Sequence, residues 1–363
     1  MTYPFCNIKK NSIDHSKEFE KEVEEYSRKL KDKNLPVIFS LPHLSLMAGV
    51  DIQHTINTCN SDRIEFHKRF KLKKKRGGYR VIQTPNDELK YLQRWVLKNI
   101  LENIPSHNSC KGFDKKTSIN ENAKLHLGSE ALLKIDLLRF FDSINEKRVY
   151  GIFRSIGYHP NLAVSMAKLC TIVPDGNFLS SFKKKETPLK NLIIDRNEGI
   201  LAQGSPTSPK LSNLILRNLD KRFKGLSDKY DLKYSRYADD LTFSGNLVQL
   251  KKIKKIVYRI IKNESLFVNY GKTKFIKRGG QFLVTGINVQ GKSTMVSNKK
   301  KNEVEHHIYH CLNNGVKKHL KASGINNRNF KDWLFGNISF VYSIEKETGR
   351  KYIEEFNKIQ WPI

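Results

Sequence analysis

The stretch YSRYADDLTFSG, residues 234–245, places two carboxylates side by side between segments that have the composition of β-strands. This pattern predicts a β-hairpin with Asp239 and Asp240 at its tight turn. Like charges a few ångström apart repel strongly in a poorly hydrated site. The stretch therefore predicts a compensating cation at this turn.

A third carboxylate interrupts an apolar segment far upstream. Asp136 lies in ALLKIDLLRFFDSI, residues 131–144, whose first half is predicted to be a buried strand. A carboxylate in such a strand needs a partner, and we predict that Asp136, Asp239 and Asp240 converge as metal ligands. Mg²⁺ prefers hard oxygen ligands, and two such ions can activate a hydroxyl and stabilise a leaving pyrophosphate. The pattern is typical of nucleotidyl transfer with two Mg²⁺ ions.

The charge of the chain indicates a polyanionic partner. The 363 residues include 66 Lys and Arg against 36 Asp and Glu, which gives a formal net charge of +30. The basic residues are spread along the chain and not gathered on one amphipathic helix, which favours nucleic acid over a membrane surface. No signal peptide or membrane span is predicted, and the five separated cysteines include no CxxC pair. We expect a soluble intracellular protein with reduced thiols.

Several elements can be predicted from local patterns. A solvated helix is expected over residues 14–33, and Gly77-Gly78 predicts a tight basic hairpin within residues 66–85. Residues 86–104 have apolar positions at helical spacing after a capping Asn86 or Asp87. Residues 174–199 are polar and broken by Pro and Gly, so they are expected to form an irregular excursion between core elements.

Five blocks of the sequence resemble reverse transcriptases. YADD, residues 237–240, resembles their catalytic box, and KIDLLRFFDSI, residues 134–144, their first carboxylate motif. The remaining blocks are KKKRGGYRVIQTP (residues 73–85, the fingers strands), ILAQGSPTSPKLSNLIL (residues 200–216, the Gln-Gly-Ser-Pro block) and NYGKTKF (residues 269–275, the lysine motif). All five follow the order of the family, which argues against chance.

Two further signatures make the chain similar to retron reverse transcriptases. They are NAKLH, residues 122–126, and VTG, residues 284–286, in the positions where that family carries them. The resemblance implies an α+β architecture, the right-hand polymerase fold with fingers, palm and helical thumb. The expected domains are an N-terminal helical region (1–60), fingers and palm (61–287) and an RNA-binding helical thumb (288–363).

The resemblance also implies a function. Retron enzymes reverse transcribe a cognate structured noncoding RNA, primed from a guanosine 2′-OH, and produce the branched RNA–DNA hybrid called msDNA. The implied partners are that RNA, the msDNA product, deoxynucleoside triphosphates and a separate effector protein of an anti-phage defence system. The implied location is the bacterial cytoplasm, with no membrane partner.

Roles for individual residues follow from the same motifs. Phe141, five residues after Asp136, matches the aromatic gate that excludes a ribose 2′-OH, and Lys272 matches the lysine that neutralises the departing pyrophosphate. The predicted nucleotide-binding residues are Lys73, Arg80, Phe141, Gln203, Gly204 and Lys272. The predicted RNA-binding residues are Asn122, His126, Val284, Thr285 and Gly286. Asp142 and Asp220 are interpreted as helix-associated or surface acids.

Two alternatives remain open. A group II intron-like or other bacterial reverse transcriptase would make no branched product, and the NAKLH and VTG segments argue against it. A catalytically silent RNA-binding scaffold that restrains an effector is the second alternative. The intact Asp136, Asp239 and Asp240 argue against a silent protein.

Overall fold

The computed structural model describes residues 17–74, 77–115, 117–326 and 328–362. Cys6, the beginning of the predicted N-terminal helix and two residues of the predicted hairpin turn, 75–76, lie outside these ranges. The chain divides into two compact units. The first comprises Met1–Pro105 and Phe141–Ile215, and the second comprises Ser106–Phe140 and Leu216–Ile363. Both units are discontinuous in sequence, whereas the predicted domain boundaries follow sequence order.

The secondary structure of the described residues is mixed. The helices are α1 (Lys17–Lys31), α2 (Leu41–Ala48), α3 (Ile52–Asn60), α4 (Asp87–Asn99), α5 (Ile119–Lys124), α6 (Glu146–Ile156), α7 (Pro160–Leu169), α8 (Gly176–Leu179), α9 (Thr187–Arg196), α10 (Ser208–Ile215), α11 (Arg217–Lys229), α12 (Leu247–Asn263), α13 (Asn298–Asn314), α14 (Val316–Ala322), α15 (Phe330–Ile344) and α16 (Lys346–Asn357). The strands are β1 (His67–Lys73), β2 (Tyr79–Pro85), β3 (Ala131–Asp136), β4 (Thr171–Ile172), β5 (Ile200–Leu201), β6 (Lys233–Tyr237), β7 (Asp240–Gly245), β8 (Lys274–Lys277), β9 (Leu283–Val284), β10 (Ile287–Asn288) and β11 (Met295–Val296). No helix among these residues is both long and apolar enough to cross a membrane.

The first unit is mainly helical and carries the predicted basic hairpin. Strands β1 and β2 pair antiparallel from His67 opposite Pro85 to Lys73 opposite Tyr79, which confirms the hairpin. Helix α4 is also confirmed. Its cap is Asn86, whose side chain accepts a hydrogen bond from the Leu89 amide.

The segment 174–199 is more regular than we predicted from its Pro and Gly content. It contains α8 and α9, and Pro188 lies in the first turn of α9, where proline is tolerated because that amide needs no helical partner. Arg69 of β1 pairs with Asp175 at 2.9 Å, so the segment is tied to the hairpin. The prediction of an irregular excursion was wrong for these two helices.

The second unit is built on a four-stranded antiparallel sheet in the order β6-β7-β3-β8. The central strand β3 contributes Leu132, Leu133 and Ile135 to the interior, each at most 1% exposed. Strands β6 and β7 form the predicted hairpin around the paired aspartates. The register of β3 with β7 sets Asp136 opposite Asp240.

The C-terminal part of the second unit contains a small three-stranded sheet, in the order β11-β10-β9, and the helices α13 to α16. The helices share one apolar cluster that includes Val304, Leu334, Ile338, Val341 and Phe356. The predicted helical character of this region is thereby confirmed. The helical part begins at Asn298, ten residues after the predicted boundary of 288.

We predict that Gly349→Ala destabilises the α15–α16 pair. A methyl group at Gly349 would overlap the Cα atom of Tyr342, and such overpacking costs about 1–3 kcal/mol. The matched control is Gly336→Ala in α15, where a methyl group meets nothing within 4 Å and should stabilise the helix by roughly 0.5–1 kcal/mol. Thermal unfolding and amide exchange over both helices measure the difference. Equal exchange in the two variants would contradict the close approach.

Candidate active site

The turn between β6 and β7 presents the paired carboxylates. Strand β6 ends at Tyr237 and β7 begins at Asp240, so Ala238 and Asp239 form a two-residue connection. Ala238 has a φ of +56°, a conformation that is uncommon for residues other than glycine and costs on the order of 1–3 kcal/mol. The surrounding structure must therefore hold this turn in place.

Backbone pairing brings Asp136 to the same end of the sheet. Asp136 is the last residue of β3 and lies opposite Asp240, and the next amide, of Leu137, donates a 3.0 Å hydrogen bond to the Asp239 carbonyl. Burial, together with the charges of Asp240 and Asp136, raises the pKa of Asp239 to about 6. Burial also raises the pKa of Asp240, although Lys134 acts in the opposite direction. The three carboxylates thus interact with one another.

Asp136 is held by two residues of the lysine motif. The Lys272 ammonium lies 2.7 Å from Asp136 Oδ2, and the Asn269 side-chain amide donates to Oδ1 at 2.8 Å. The Asn269 backbone amide also donates to the Asp136 carbonyl at 2.8 Å. Lys272 was predicted to meet the leaving pyrophosphate, and here it is the counterion of a carboxylate. Asn269 was not singled out from the sequence, although it lies only three residues before Lys272.

The three carboxylates are chemically suited to a hard divalent cation, but their oxygen atoms do not surround one common position. Among the described residues, no three His, Cys, Asp or Glu side chains are already arranged to hold a metal. The carboxylates of Asp136, Asp239 and Asp240 repel one another, which favours a bound cation. The Lys272 ammonium supplies one positive charge at Asp136. Carboxylate oxygens are the ligands that Mg²⁺ prefers.

A buried ion pair adjoins the turn. The Arg236 guanidinium binds both oxygens of Asp220, with Nε to Oδ1 at 2.9 Å and Nη2 to Oδ2 at 2.7 Å, and both side chains are fully buried. The Tyr234 hydroxyl donates to the same carboxylate at 2.8 Å. Asp220 lies on α11, which agrees with its interpretation as a helix-associated acid, and it is buried and not at the surface. Asp142 is likewise buried, in a short 3₁₀ helix at Phe141–Ser143.

The remaining predicted nucleotide-binding residues lie in the first unit. Lys73 and Arg80 are exposed on the β1–β2 hairpin. The Gln203 carbonyl accepts a 2.9 Å hydrogen bond from the Gln83 amide of β2. A methyl group at Gly204, where φ is +134°, would come within 2.8 Å of the Gln83 carbonyl, so glycine permits this close approach. Phe141, also in this unit, is half-buried.

The NAKLH signature is mostly internal. Asn122 lies in α5 and His126 two residues beyond its end, and their exposed fractions are 1% and 0%. The His126 ring lies 2.7 Å from both Ser235 Oγ of β6 and Ser244 Oγ of β7. Asn122 Nδ2 donates to Thr285 Oγ1 at 3.4 Å, so the two signature segments touch across 163 residues of sequence. RNA binding by Asn122 and His126 stays a prediction.

The VTG signature forms a tight turn. Val284 ends β9 opposite Ile287 of β10, and Thr285 and Gly286 connect them with φ values of +47° and +86°. Two positive φ values are typical of a type I′ hairpin, although a β-branched threonine rarely adopts one. Val284 is buried, Thr285 is half-buried and Gly286 is exposed. The exposed tip is therefore the part of this signature that a ligand can reach.

Comparison with known proteins identifies a matching family model and several similar sequences. The family model for reverse transcriptase (RNA-dependent DNA polymerase) matches residues 72–289. The retron Ec86 reverse transcriptase of Escherichia coli is 31% identical over 339 residues, which is 92% of this chain and 93% of that protein. The retron Mx65 reverse transcriptase of Myxococcus xanthus is 34% identical over 231 residues, 63% of this chain and 52% of that protein. A solved Candida albicans telomerase, in complex with a fragment of telomeric RNA, aligns with a TM-score of 0.42 and 16% identity over 81% of this chain and 56% of that chain.

The antiparallel sheet with carboxylates at one end and the matching family model define an RNA-directed DNA polymerase of the α+β right-hand fold. Within that class, the chain belongs to the retron reverse transcriptases. The predicted fold class and enzyme class are confirmed. Membership of the family implies an RNA template and a divalent metal cofactor.

We predict that His126 makes stability depend on pH. Burial, together with the charges of Lys233 and Lys134, lowers the pKa of His126 to about 3. Below about pH 6.5 the unfolded chain binds a proton that the folded protein excludes, so stability is lost as the pH falls from 6.5 towards 3. His126→Gln removes this titration. The stability advantage of the wild type over this variant should shrink by about 2 kcal/mol between pH 7 and pH 5.

Urea unfolding at both pH values provides the measurement. Ser235→Ala is the control, because it removes one hydrogen-bond partner of His126 and keeps the titrating ring. It should lower stability by similar amounts at both pH values. An unchanged wild-type advantage over His126→Gln would show that His126 is protonated in the folded protein.

Proposed function

We propose that this reverse transcriptase copies a cognate structured noncoding RNA from the 2′-OH of a guanosine and leaves branched msDNA. One observation carries the proposal: the two segments that resemble retron signatures meet in space. Asn122 contacts Thr285, and Ala123 and Val284 belong to one apolar cluster. This contact supports a joint role for NAKLH and VTG, because a chance resemblance in two short strings would not place them together.

The proposed catalytic residues are Asp136, Asp239 and Asp240, which would bind two Mg²⁺ ions. The ions would supply activation of the attacking hydroxyl and stabilisation of the leaving pyrophosphate. Lys272 is two-thirds exposed and is attached by a flexible stem, so it can leave Asp136 when a metal arrives. We propose that its ammonium then neutralises the pyrophosphate. Asn269 keeps Asp136 oriented during this exchange, because it binds the other carboxylate oxygen.

The proposed nucleotide contacts come from the first unit. Arg80 and Lys73 project from an exposed hairpin and would bind the triphosphate through charge-assisted hydrogen bonds. Gln203 and Gly204 would line the nucleotide pocket, where the close approach of their loop to β2 fixes the backbone. Phe141 would exclude ribonucleotides by occupying the space of a 2′-OH.

RNA recognition is assigned to residues 288–363 as an RNA-binding thumb and to the Thr285-Gly286 turn. The proposed remaining domains are an N-terminal helical region, residues 1–60, and the fingers and palm, residues 61–287. The buried Asn122, His126 and Val284 would act by supporting the turn, and the exposed Gly286 would lie nearest the RNA. Duplex RNA offers a wide and shallow minor groove, so recognition should depend on shape and 2′-hydroxyl groups.

The proposed setting is an anti-phage retron in a bacterial cytoplasm, with a separate effector protein. Synthesis on the cognate RNA followed by a 2′,5′-debranching nuclease tests the branched product. A product whose DNA is released from RNA only by the nuclease is expected. A linear product would favour a reverse transcriptase of the group II intron type. Sequencing the flanking DNA for an inverted-repeat RNA and a neighbouring reading frame tests the retron setting.

We predict that the double variant Asp239→Asn with Asp240→Asn loses DNA synthesis and keeps RNA affinity within about twofold. The variant removes metal ligands and leaves the phosphate-binding lysines and arginines in place. The matched control is Asp231→Asn, an exposed acid at the other end of β6 in a conformation that asparagine also tolerates. It should extend primers at the wild-type rate. Full synthesis by the double variant would refute the metal assignment.

We also predict that Gly286→Asn lowers the ratio of cognate to shuffled RNA affinity by about tenfold, as expected for a lost specific contact. Asparagine tolerates the left-handed conformation and nothing lies within 4 Å of the added atom, so the fold should survive. Gly279→Asn is the control, because Gly279 is exposed, has a φ of +92° and is equally free of neighbours. Binding titrations at two salt concentrations separate specificity from phosphate attraction. An unchanged ratio, with reduced extension of a generic primer, would make the turn structural.

A further inference from the structure

The Asp220–Arg236 ion pair fixes the direction in which the third guanidinium nitrogen of Arg236 points. Two guanidinium nitrogens of Arg236 bind the two oxygens of Asp220, and Tyr234 donates to the same carboxylate. A bidentate pair sets the plane of the guanidinium as well as its position. The remaining nitrogen, Nη1, is therefore aimed by the pair, and it donates to the Ala238 carbonyl at 3.4 Å.

Ala238 is the residue of the turn that most needs support. Its φ of +56° is unfavourable for an alanine, and its peptide leads directly into Asp239. The hydrogen bond from Arg236 Nη1 to the Ala238 carbonyl favours the peptide orientation that the positive φ of Ala238 requires. The contact is long for a hydrogen bond, so its effect lies in selecting an orientation and not in strong attraction.

A second segment encloses the turn from another side. The Arg236 amide donates to the Ser109 carbonyl at 2.8 Å, and the Lys111 amide donates to the Arg236 carbonyl at 2.8 Å. A methyl group at Gly112 would lie 3.1 Å from the Ala238 nitrogen. The backbone of Arg236 is thus fixed by residues 109–111 and its side chain by Asp220, which leaves the turn little freedom.

Stability alone does not explain an ion pair in this position. Removing two charges from water is costly, and apolar residues of similar volume often stabilise a fold as well or better. An apolar pair would lack a donor for the Ala238 carbonyl. The directional contact is what the ionic pair adds.

We propose that Asp220 and Arg236 are positioning residues of the polymerase reaction. Through the Ala238 carbonyl they hold the two adjacent carboxylates of the turn at the place where the metal ions bind. Both side chains are fully buried, so neither is accessible to a substrate. The inference rests on the proposed catalytic role of Asp239 and Asp240.

The test compares Arg236→Lys with Tyr234→Phe on a generic primed template. Lysine at position 236 keeps the positive charge but loses the bidentate contact with Asp220 and the Nη1 donor to Ala238. Tyr234→Phe removes one donor to Asp220 and leaves the bidentate contact intact. Arg236→Lys should lower kcat by about tenfold or more and raise the half-saturating Mg²⁺ concentration, with little change in the KM for primed template. Tyr234→Phe should stay within about twofold of the wild type in both quantities. Equal kinetics in the two variants would overturn the proposal.

The triple variant Asp220→Leu, Arg236→Met and Tyr234→Phe covers the case in which Arg236→Lys fails to fold, because it leaves neither a buried charge nor the Tyr234 hydroxyl without a partner. It should retain the wild-type unfolding temperature and show the same loss of kcat and increase in Mg²⁺ requirement. Wild-type kinetics in this variant, beside an inactive Asp239→Asn and Asp240→Asn enzyme, would refute positioning and leave the catalytic assignment intact. Activity in the double asparagine variant would refute both.

Discussion

Mutual repulsion among three carboxylates is the constraint around which the second unit is organised. Asp136, Asp239 and Asp240 are brought together by strand register, and the raised pKa of Asp239 reflects both burial and its charged neighbours. Sheet hydrogen bonds fix the strands but do not compensate the charges. Compensation comes from Lys272 at Asp136, which lies outside the β3–β7 pair, and from Lys134 of β3 at Asp240. The positions of several elements are therefore tied to one electrostatic problem.

The NAKLH and VTG segments combine buried and exposed residues that are linked by hydrogen bonds. His126 joins β6 and β7 through Ser235 and Ser244, and Asn122 joins α5 to Thr285. The exposed tip of the VTG turn is thus connected by packed residues to the two strands that carry the aspartate turn. A neutral, fully buried His126 suits this structural position, because its ring can accept one hydrogen bond and donate another.

Local pattern was sufficient for much of the fold. The strand-like composition of residues 234–245, the Gly-Gly turn and the capping residue before α4 are local signals, and the structure confirms the two hairpins and the helix that they predicted. Segment 174–199 was misread because Pro188 was taken as a helix breaker, whereas proline in a first turn is compatible with a helix start.

The partners of charged residues could not be predicted in the same way. Asp220 has the sequence context of an exposed helical acid, and its partner Arg236 lies 16 residues away on a strand. The Lys272–Asp136 pair spans 136 residues and exists only once β3 and the lysine motif are assembled. The convergence of the aspartates was predicted because a carboxylate in an apolar strand needs a partner, and the resemblance to a known family supported it. The contacts that hold them depend on tertiary packing, which leaves no local trace.

The strand order has a consequence for how the protein is made. The chain contributes β3 early, yet the two strands that flank it, β7 (Asp240–Gly245) and β8 (Lys274–Lys277), are synthesised much later, and Lys272 follows Asp136 by 136 residues. At roughly 5–20 residues per second, a ribosome needs on the order of 7–27 seconds to cover that interval. During that time β3 is an apolar strand ending in a charge that has neither its pairing strands nor its counterion. Nascent chains paused within this interval would be a natural substrate for chaperones, and the polymerase centre would mature only after Lys272 has been synthesised.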